Sequence, residues 1–289
     1  MNGQENDKAE SEAAESAGSQ SPSDGEASFD AAAAGSGVIG TDSARASNGG
    51  PGVHSVCRDI AVKNWYEKES LLKFVTPCSL CLIGMNNCGK TTYITKMLEQ
   101  AEGVFTEPPK RVIVCYNIFQ DLFRRMAETV PNISFYQGLP DRATIEEWAA
   151  KTGGHLMLVF DDLYQELIQS KAVCDLTIML SHHLNISCIM TSHNIFMCAK
   201  YSKTISTNLH YILLFTLRNR LQLSVLGSQL FCHKGKARNF VKVYDLVMNE
   251  NRLGNPLIVD NSPRSGMKQN QTLRSRVLPG QFPIIYEID

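Results

Sequence analysis

A glycine-containing segment with the pattern G-x-x-x-x-G-K-[ST] runs from Gly84 to Thr91. Glycines in such a loop let the backbone wrap around phosphates, whose charge is met by a row of N–H groups and by the N-terminus of the next helix. A lysine at this spacing reaches the β- and γ-phosphates, and the hydroxyl after it holds Mg²⁺. We therefore expect ATP and Mg²⁺ as ligands. The predicted nucleotide-binding residues are Gly84, Met85, Asn86, Asn87, Cys88, Gly89, Lys90, Thr91 and Thr92, with Lys90 also catalytic and Thr91 also a metal ligand.

A pair of acids, Asp161 and Asp162, follows the apolar run 156–160. A phosphate loop requires an acid at the tip of a second buried strand, and this pair has that position. We expect Asp161 to hold the metal through its water shell and Asp162 to polarise the attacking water. The alternative is an acidic pair that caps the next helix. Two neighbouring acids favour hydrolysis over phosphoryl transfer to a small substrate.

Polar and cationic residues follow two further apolar runs. The run 186–191 leads into His193 and Asn194, which are candidates for sensing the γ-phosphate and positioning the water; the alternative is a polar surface loop. Arg218 and Arg220 follow the run 210–215. Either arginine could reach a neighbouring subunit's nucleotide as a finger acting in trans. The alternative is an arginine that is solvated or pairs with a local acid.

The elements that must position these residues alternate between short apolar runs and helical patterns. The predicted strands are 79–83, 111–116, 133–136, 156–160, 186–191, 210–215 and 283–288. The predicted helices are 91–101, 120–129, 142–152, 163–183 and 220–231. Continuously apolar strands suit a parallel sheet that is covered on both faces. The sequence therefore predicts an α/β fold, a P-loop NTPase of the additional-strand, RecA-like type, built as a three-layer sandwich with a mostly parallel sheet.

The N-terminal segment has a different composition from the rest of the chain. Residues 1–50 contain 28 Ala, Ser or Gly, nine acidic and two basic residues, so the remainder carries a net charge of +6. With almost nothing apolar to bury, 1–52 is predicted to be a disordered acidic Ala/Ser/Gly-rich tail, and 53–289 the ATPase domain. The tail lacks the features of a secretory signal, and no window of 18 apolar residues could span a membrane. We therefore expect an intracellular protein of the nucleus or cytoplasm.

The nine cysteines are expected to be reduced and buried as small hydrophobic residues. Cys78 and Cys81 form a C-x-x-C pair, which raises zinc or redox use as an alternative. Because no second pair lies at zinc-finger spacing and this pair leads into a strand-like run, we expect both to be core residues.

Taken together, these motifs resemble those of the DNA-packaging ATPases of the FtsK–HerA superfamily, in the poxvirus-type branch, nearest to those of Polinton (Maverick) elements and adintoviruses. The resemblance covers about residues 70–289. It rests on the segments 84–92, 158–163, 191–196 and 211–215, on Asn219 and on 273–280. It implies an ATP-driven motor that pumps double-stranded DNA into a capsid, as a homo-oligomeric ring that contacts capsid or portal proteins.

Two residues depart from the pattern of that branch. His193 stands where the branch usually has Gln, although a neutral imidazole can still orient water. Lys203 stands where Arg is usual, which keeps the charge and loses the bidentate fork. Two alternatives therefore stay open: a nucleotide-binding domesticated protein with weak or no hydrolysis, and a small-substrate P-loop kinase.

Basic residues near the end of the chain are candidates for contact with DNA. They are His233, Lys234, Lys236 and Arg238, to which Arg274 and Arg276 could add. The alternative is a solvated basic face.

Overall fold

A computed structural model describes residues 72–176, 181–196, 199–231, 233–250, 254–266 and 272–288. The predicted tail, 1–52, lies outside these ranges. Within them a single sheet has nine strands, in the order β3-β2-β4-β5-β1-β6-β7-β8-β9. The strands are β1 Ser79–Ile83, β2 Arg111–Tyr116, β3 Ile133–Gln137, β4 Leu156–Asp161, β5 Ile186–Ser192, β6 Tyr211–Leu214, β7 Leu257–Asp260, β8 Leu273–Ser275 and β9 Ile284–Tyr286.

The first six strands are parallel and the last three add antiparallel to the β6 edge. Because β1 lies between β5 and β6, the loops after β4, β5, β1 and β6 meet at one edge of the sheet. Ligands of open α/β sheets bind at the carboxyl ends of the strands. This edge is therefore where the predicted site residues come together.

The helices described between these strands cover both faces of the sheet. They are α1 Lys90–Glu99, α2 Ala101–Val104, α3 Asp121–Thr129, α4 Arg142–Thr152, α5 Tyr164–Leu167, α6 Lys171–Asp175, α7 Ser181–His183, α8 Ser202–Thr207, α9 Arg220–Leu230 and α10 Lys234–Asn249. Side chains of α1 and α3 pack on one face of the sheet, and those of α4, α5, α9 and α10 on the other. The predicted three-layer P-loop NTPase fold is confirmed.

The predicted strands and most predicted helices are confirmed to within a few residues, but three expectations about the elements were wrong or incomplete. The single helix predicted over 163–183 is interrupted, because the Ser170 side chain accepts a hydrogen bond from the Val173 N–H and so starts a new helix. Helices α2, α8 and α10 and strands β7 and β8 were not predicted. Both strands are short, at four and three residues, and such runs carry little periodic signal.

Cys78 and Cys81 are both fully buried, and they belong to opposite faces of the sheet. Two side chains on opposite faces cannot bind one metal ion. Burial raises the pKa of each thiol to about 12, so both stay protonated and unreactive. The prediction that they are core residues is confirmed.

Among the helices within the described ranges, none has both the length and the apolar character needed to cross a bilayer.

Candidate active site

The phosphate loop between β1 and α1 has the backbone conformation that its sequence predicts. Asn87 and Gly89 both have positive φ angles, 59° and 94°. Gly89 precedes α1, whose first N–H groups receive no side-chain cap. These N–H groups are thus available to phosphate oxygens. A Cβ on Gly84 would lie 2.7 Å from Cβ of Phe215, so the loop can pack against β6 only with glycine at this position.

Lys90 is 6% exposed and its ammonium group is held inside the loop. Nζ donates hydrogen bonds to the carbonyl oxygens of Gly84, at 2.9 Å, and Met85, at 3.1 Å. Nδ1 of His193 lies 3.4 Å from Nζ. The charge of Lys90 is therefore already positioned at the mouth of the loop, where a β- or γ-phosphate oxygen can replace a carbonyl as its acceptor.

Asp161, at the end of β4, joins the phosphate loop to the neighbouring strand. Its carboxylate accepts hydrogen bonds from the hydroxyls of Thr91, at 3.1 Å, and Thr191, also at 3.1 Å. Nε2 of Gln120 lies 3.5 Å from Oδ2. Burial raises the pKa of Asp161 above its usual value, with repulsion from Asp162 adding to the effect, whereas the two hydroxyls lower it.

The residues around Asp161 fit a divalent cation. The Thr91 hydroxyl and the Asp161 carboxylate are hard oxygen donors close enough to serve one ion, which is the ligand chemistry that Mg²⁺ prefers. A cation here would also offset the cost of the buried negative charge. Thr91 and Asp161 are thus the residues that would hold the metal.

Asp162, the residue after the end of β4, has a positive φ of 54°, and it is exposed whereas Asp161 is buried. Its N–H donates to the Thr191 hydroxyl at 2.9 Å, which fixes the turn. Oδ1 of its half-exposed side chain lies 3.4 Å from Nε2 of His193. Helix α5 has Leu163 at its N-cap and receives no side-chain cap, so neither acid caps this helix.

Three cavities at this edge share His193 as a lining residue. One of about 460 Å³ is bordered by Lys90, Thr91 and Asp162. A second, of about 700 Å³, is bordered by Asn86, Arg218 and other residues of the loops after β1 and β6. A third, of about 260 Å³, lies between Asp162 and α5. His193 therefore stands between the phosphate loop, the candidate water-polarising acid and the loop after β6.

Asn194 is held by a residue that the sequence did not single out. Gln222, on α9, accepts a hydrogen bond from the Ile195 N–H at 2.9 Å, and its amide lies 3.4 Å from Oδ1 of Asn194. Ser192 closes the turn through hydrogen bonds with the backbone of Asn194. Gln222 and Gln120 belong to no motif, and only the folded sheet brings them to the site.

The two arginines predicted as candidate fingers have different surroundings. Arg218 is exposed and borders the second cavity together with Asn86 and Asn87 of its own chain. Arg220, the first residue of α9, forms an ion pair with Asp245 of α10. Arg218 is thus the arginine that lies beside the phosphate loop, and which of the two acts on a neighbour's nucleotide stays a prediction.

Arg274 does not contact DNA, contrary to the expectation from the sequence. It is fully buried in β8 and forms an ion pair with Asp260 of β7 at 3.2 Å. Its guanidinium lies over the ring of Phe74, 5.3 Å from the centroid, and over that of Tyr211, at 5.6 Å. The residue links three parts of the core and cannot reach a large ligand.

No protein-family model matches the chain, and no curated protein matches it. Three solved structures illustrate the similarities found. The genome packaging NTPase B204 from Sulfolobus turreted icosahedral virus 2, in complex with ATP-gammaS, is 13% identical over 73% of this chain and 98% of its own, with a TM-score of 0.43. ATPases 2 and 3 of EssC from Geobacillus thermodenitrificans are 12% identical over 73% of this chain and 39% of theirs, with a TM-score of 0.44. The cytoplasmic domain of the Type VII secretion ATPase EccC from Thermomonospora curvata is 15% identical over 73% of this chain and 24% of its own, with a TM-score of 0.41. Because these values are low, the fold assignment rests on the strand order and the loop geometry of the chain itself.

Proposed function

We propose that the protein is a Mg²⁺-dependent ATPase that hydrolyses ATP to ADP and phosphate and uses the energy to move double-stranded DNA. The observation that carries the proposal is the position of Asp161. It accepts hydrogen bonds from Thr91 of the phosphate loop and from Thr191 of the adjacent strand, next to a second acid that is turned into the phosphate cavity. Such an arrangement supplies a metal site and a water-activating group to one bound nucleotide.

Each side chain has a separate part in this mechanism. The loop N–H groups and Lys90 bind and orient the β- and γ-phosphates. Thr91 and Asp161 would hold Mg²⁺, which would supply neutralisation of the phosphate charge. Asp162 polarises the attacking water, and His193 orients Asp162 from the other side. Asn194 borders the two cavities on either side of His193, one of them shared with Asp162, and from there positions the water or the γ-phosphate.

The DNA-packaging part of the proposal rests on the motif resemblance described above. We propose that the subunits form a homo-oligomeric ring that pumps DNA into a capsid and contacts capsid or portal proteins, as in the Polinton-type branch. The domain boundary at 52–53 and an intracellular location, in the nucleus or cytoplasm, belong to the same proposal. Arg218 or Arg220 would complete the site of the adjacent subunit.

A steady-state assay of phosphate release tests the proposal. It is run at several protein concentrations, with and without duplex DNA, and with EDTA as the metal-free control. We expect Mg²⁺-dependent turnover that rises with protein concentration and rises further with DNA. Binding of ATP without turnover would instead favour the non-hydrolysing nucleotide-binding protein. Turnover that needs a small phosphate acceptor would favour the kinase.

A further inference from the structure

Helix α10 carries a row of cations along its exposed face. Lys234, Arg238 and Lys242 are spaced four residues apart, so they lie on one side of the helix with successive charges about 6 Å apart along its axis. All three side chains are exposed, while the opposite side of the helix packs in the core. Within the part of the chain that the structure describes, these three side chains form no ion pair with an acid and no side-chain hydrogen bond.

The charges of α10 are arranged against the helix dipole. Its first turn contains Lys234 and Lys236 and no acid, its last turn contains no basic residue, and His233 provides no side-chain cap. Cations are unfavourable at the positive N-terminus of a helix, and like charges four residues apart repel each other. The fold is not stabilised by this arrangement, and departures from local rules are concentrated at functional positions.

The first turn of α10 is also sterically open. Gly235 lies between the two lysines, and no heavy atom lies within 4 Å of the position that a Cβ would take there. The uncapped N–H groups of this turn and the lysine charges therefore face the same open space. Backbone N–H groups at a helix N-terminus together with cationic side chains are what phosphate groups bind.

The other basic residues near the end of the chain do not join this row. Nζ of Lys236 points toward the carbonyl oxygen of Ile288, at 3.5 Å. Arg274 is buried, and Arg276 pairs with Glu250 at 3.3 Å. The exposed row therefore excludes these three residues of the cluster predicted from the sequence and includes Lys242, which that cluster did not contain.

Helix α10 is connected directly to the loop that borders the phosphate cavity. The Tyr244 hydroxyl accepts a hydrogen bond from the Leu217 N–H at 2.8 Å and donates one to the Phe215 carbonyl at 2.9 Å. Asp245, on the next position, pairs with Arg220 at the start of α9. A ligand that displaces α10 would thus act on the loop that carries Arg218.

We propose that the row Lys234, Arg238 and Lys242, with the open first turn of α10, binds the phosphate backbone of duplex DNA. The choice of DNA rests on the proposed function. Leu246 is the one apolar residue of α10 in the exposed class, and a straight row of charges beside it fits a polyanion better than a membrane surface, which also requires a broad apolar face. Because the contacts are to phosphates, binding should be independent of sequence and sensitive to salt.

The test compares two substitutions at Gly235. Either substitution is expected to make helix α10 more stable. Gly235→Ala removes the cost of glycine in a helix, and Gly235→Glu does the same while adding an acid that suits the helix N-terminus. We expect both variants to have a Tm at least as high as the wild type. Only Gly235→Glu should weaken binding to a labelled mixed-sequence duplex, measured by fluorescence anisotropy over a series of salt concentrations.

A triple variant, Lys234→Gln, Arg238→Gln and Lys242→Gln, tests the row itself. The slope of log Kobs against log salt should become shallower by about 0.9 for each phosphate that the variant no longer neutralises. The matched control removes the same charge elsewhere, through Lys96→Gln, Lys151→Gln and Lys171→Gln, and should keep the wild-type slope.

Equal DNA affinity of the two Gly235 variants, or the same slope in the triple variant and its control, would overturn the proposal. The proposal would also be overturned if the triple variant lost binding to phosphatidylserine vesicles while its binding to duplex DNA stayed unchanged. The DNA measurements are made without nucleotide, so they are independent of the proposed ATPase. Absence of ATP hydrolysis by the wild-type protein would count against the proposed function and leave this result standing.

Discussion

Nε2 of His193 lies 3.4 Å from Oδ1 of Asp162, while Nδ1 of the same ring faces the ammonium group of Lys90 at the same distance. Nδ1 also lies 3.3 Å from the carbonyl oxygen of Gly84, to which Lys90 donates a hydrogen bond. The imidazole thus connects the phosphate-binding lysine with the acid proposed to polarise water.

From this relationship we predict that His193→Gln retains hydrolysis and His193→Ala does not. A glutamine amide has one acceptor and two donors, so it can face both neighbours as the imidazole does. We expect kcat of the Gln variant to lie within about tenfold of wild type and that of the Ala variant to fall by about 10²-fold or more, in line with loss of a group that positions a general base. Similar rates for the two variants would show that His193 has no such part.

Lys90→Ala is predicted to abolish hydrolysis while the domain stays folded. The lysine is aimed at the phosphates, and its hydrogen bonds are to two loop carbonyls and not to the core. The exposed Lys96, on the same helix, provides the matched control through Lys96→Ala. Phosphate release and a thermal melt are measured for both, and normal turnover in Lys90→Ala would remove the phosphate-loop assignment.

Asp161→Asn is predicted to raise Tm at neutral pH in the absence of Mg²⁺. Because the pKa of Asp161 is raised in the folded state, ionisation of this carboxyl destabilises the fold above that pKa. This cost disappears as the pH falls below 3.8, the pKa of the carboxyl in the unfolded chain. The advantage of the Asn variant should therefore shrink on acidification. Melting curves across pH measure this, and the exposed Glu128→Gln serves as a control. A lower Tm for Asp161→Asn at neutral pH would contradict it.

Substitution of the two acids should affect different steps, nucleotide binding for Asp161 and hydrolysis for Asp162. Asp161→Asn is expected to weaken Mg²⁺-dependent binding of ATP, because it removes a metal ligand. Asp162→Asn should bind ATP and hydrolyse it about 10²- to 10⁴-fold more slowly, as expected when a catalytic base is removed. Fluorescent nucleotide titration and phosphate release distinguish the two, and equal behaviour of both variants would refute separate roles.

Gln222→Leu should lower kcat more than it lowers stability. The substitution leaves the Ile195 N–H without its side-chain acceptor and frees Asn194 from α9, so the loop after β5 shifts relative to the phosphates. We expect a fall in kcat of about 10- to 100-fold, the size seen when a reacting group is slightly misplaced. Gln229→Leu, on the exposed side of the same helix, should behave as wild type. Unchanged kcat in Gln222→Leu would show that this contact is only structural.

Mixing experiments identify the arginine that acts between subunits. If Arg218 completes a neighbour's site, an Asp162→Asn subunit and an Arg218→Ala subunit should together recover activity that neither has alone. Fingers acting in trans contribute roughly 10³- to 10⁵-fold in rate, so partial recovery is measurable. The same mixture with Arg220→Ala tests the other candidate. Because Arg220 is held in an ion pair with Asp245, we expect Arg220→Ala to be active by itself and the mixture to show no gain over its separate subunits. Recovery with Arg220→Ala alone would reverse the assignment.

The sequence predicted the parts of the site that follow directly from a strand tip. Lys90, Thr91, Asp161 and Asp162 could be placed because each lies within two residues of a helix start or of the end of an apolar run. Gln120 and Gln222 could not, because their contacts join loops and helices distant in the chain, and no local pattern records such a contact. The apolar positions of α10 were present in the sequence at helical spacing, but its first residues were interpreted as a basic cluster and not as the start of a helix.

Arg274 was misplaced for a related reason. An arginine two positions from another arginine suggests an exposed face, since burial of a guanidinium is costly unless it is paired. Its partner, Asp260, comes from a strand of four residues that the sequence did not predict. Without that strand the arginine had no visible counter-ion, and the surface interpretation followed.

The contact of Arg274 with Phe74, Tyr211 and Asp260 has a consequence for how the domain is made in the cell. The strands that carry the catalytic loops are synthesised before β7 to β9, yet the core beside β1 and β6 is completed only when β8 arrives. During translation, the emerging chain therefore holds an incomplete sheet with an open edge at β6, which is a site for pairing with other chains. We expect nascent chains stopped before β7, whose open edge is β6, to require a chaperone, and release of the segment 273–286 to be the event that commits the domain to its native state.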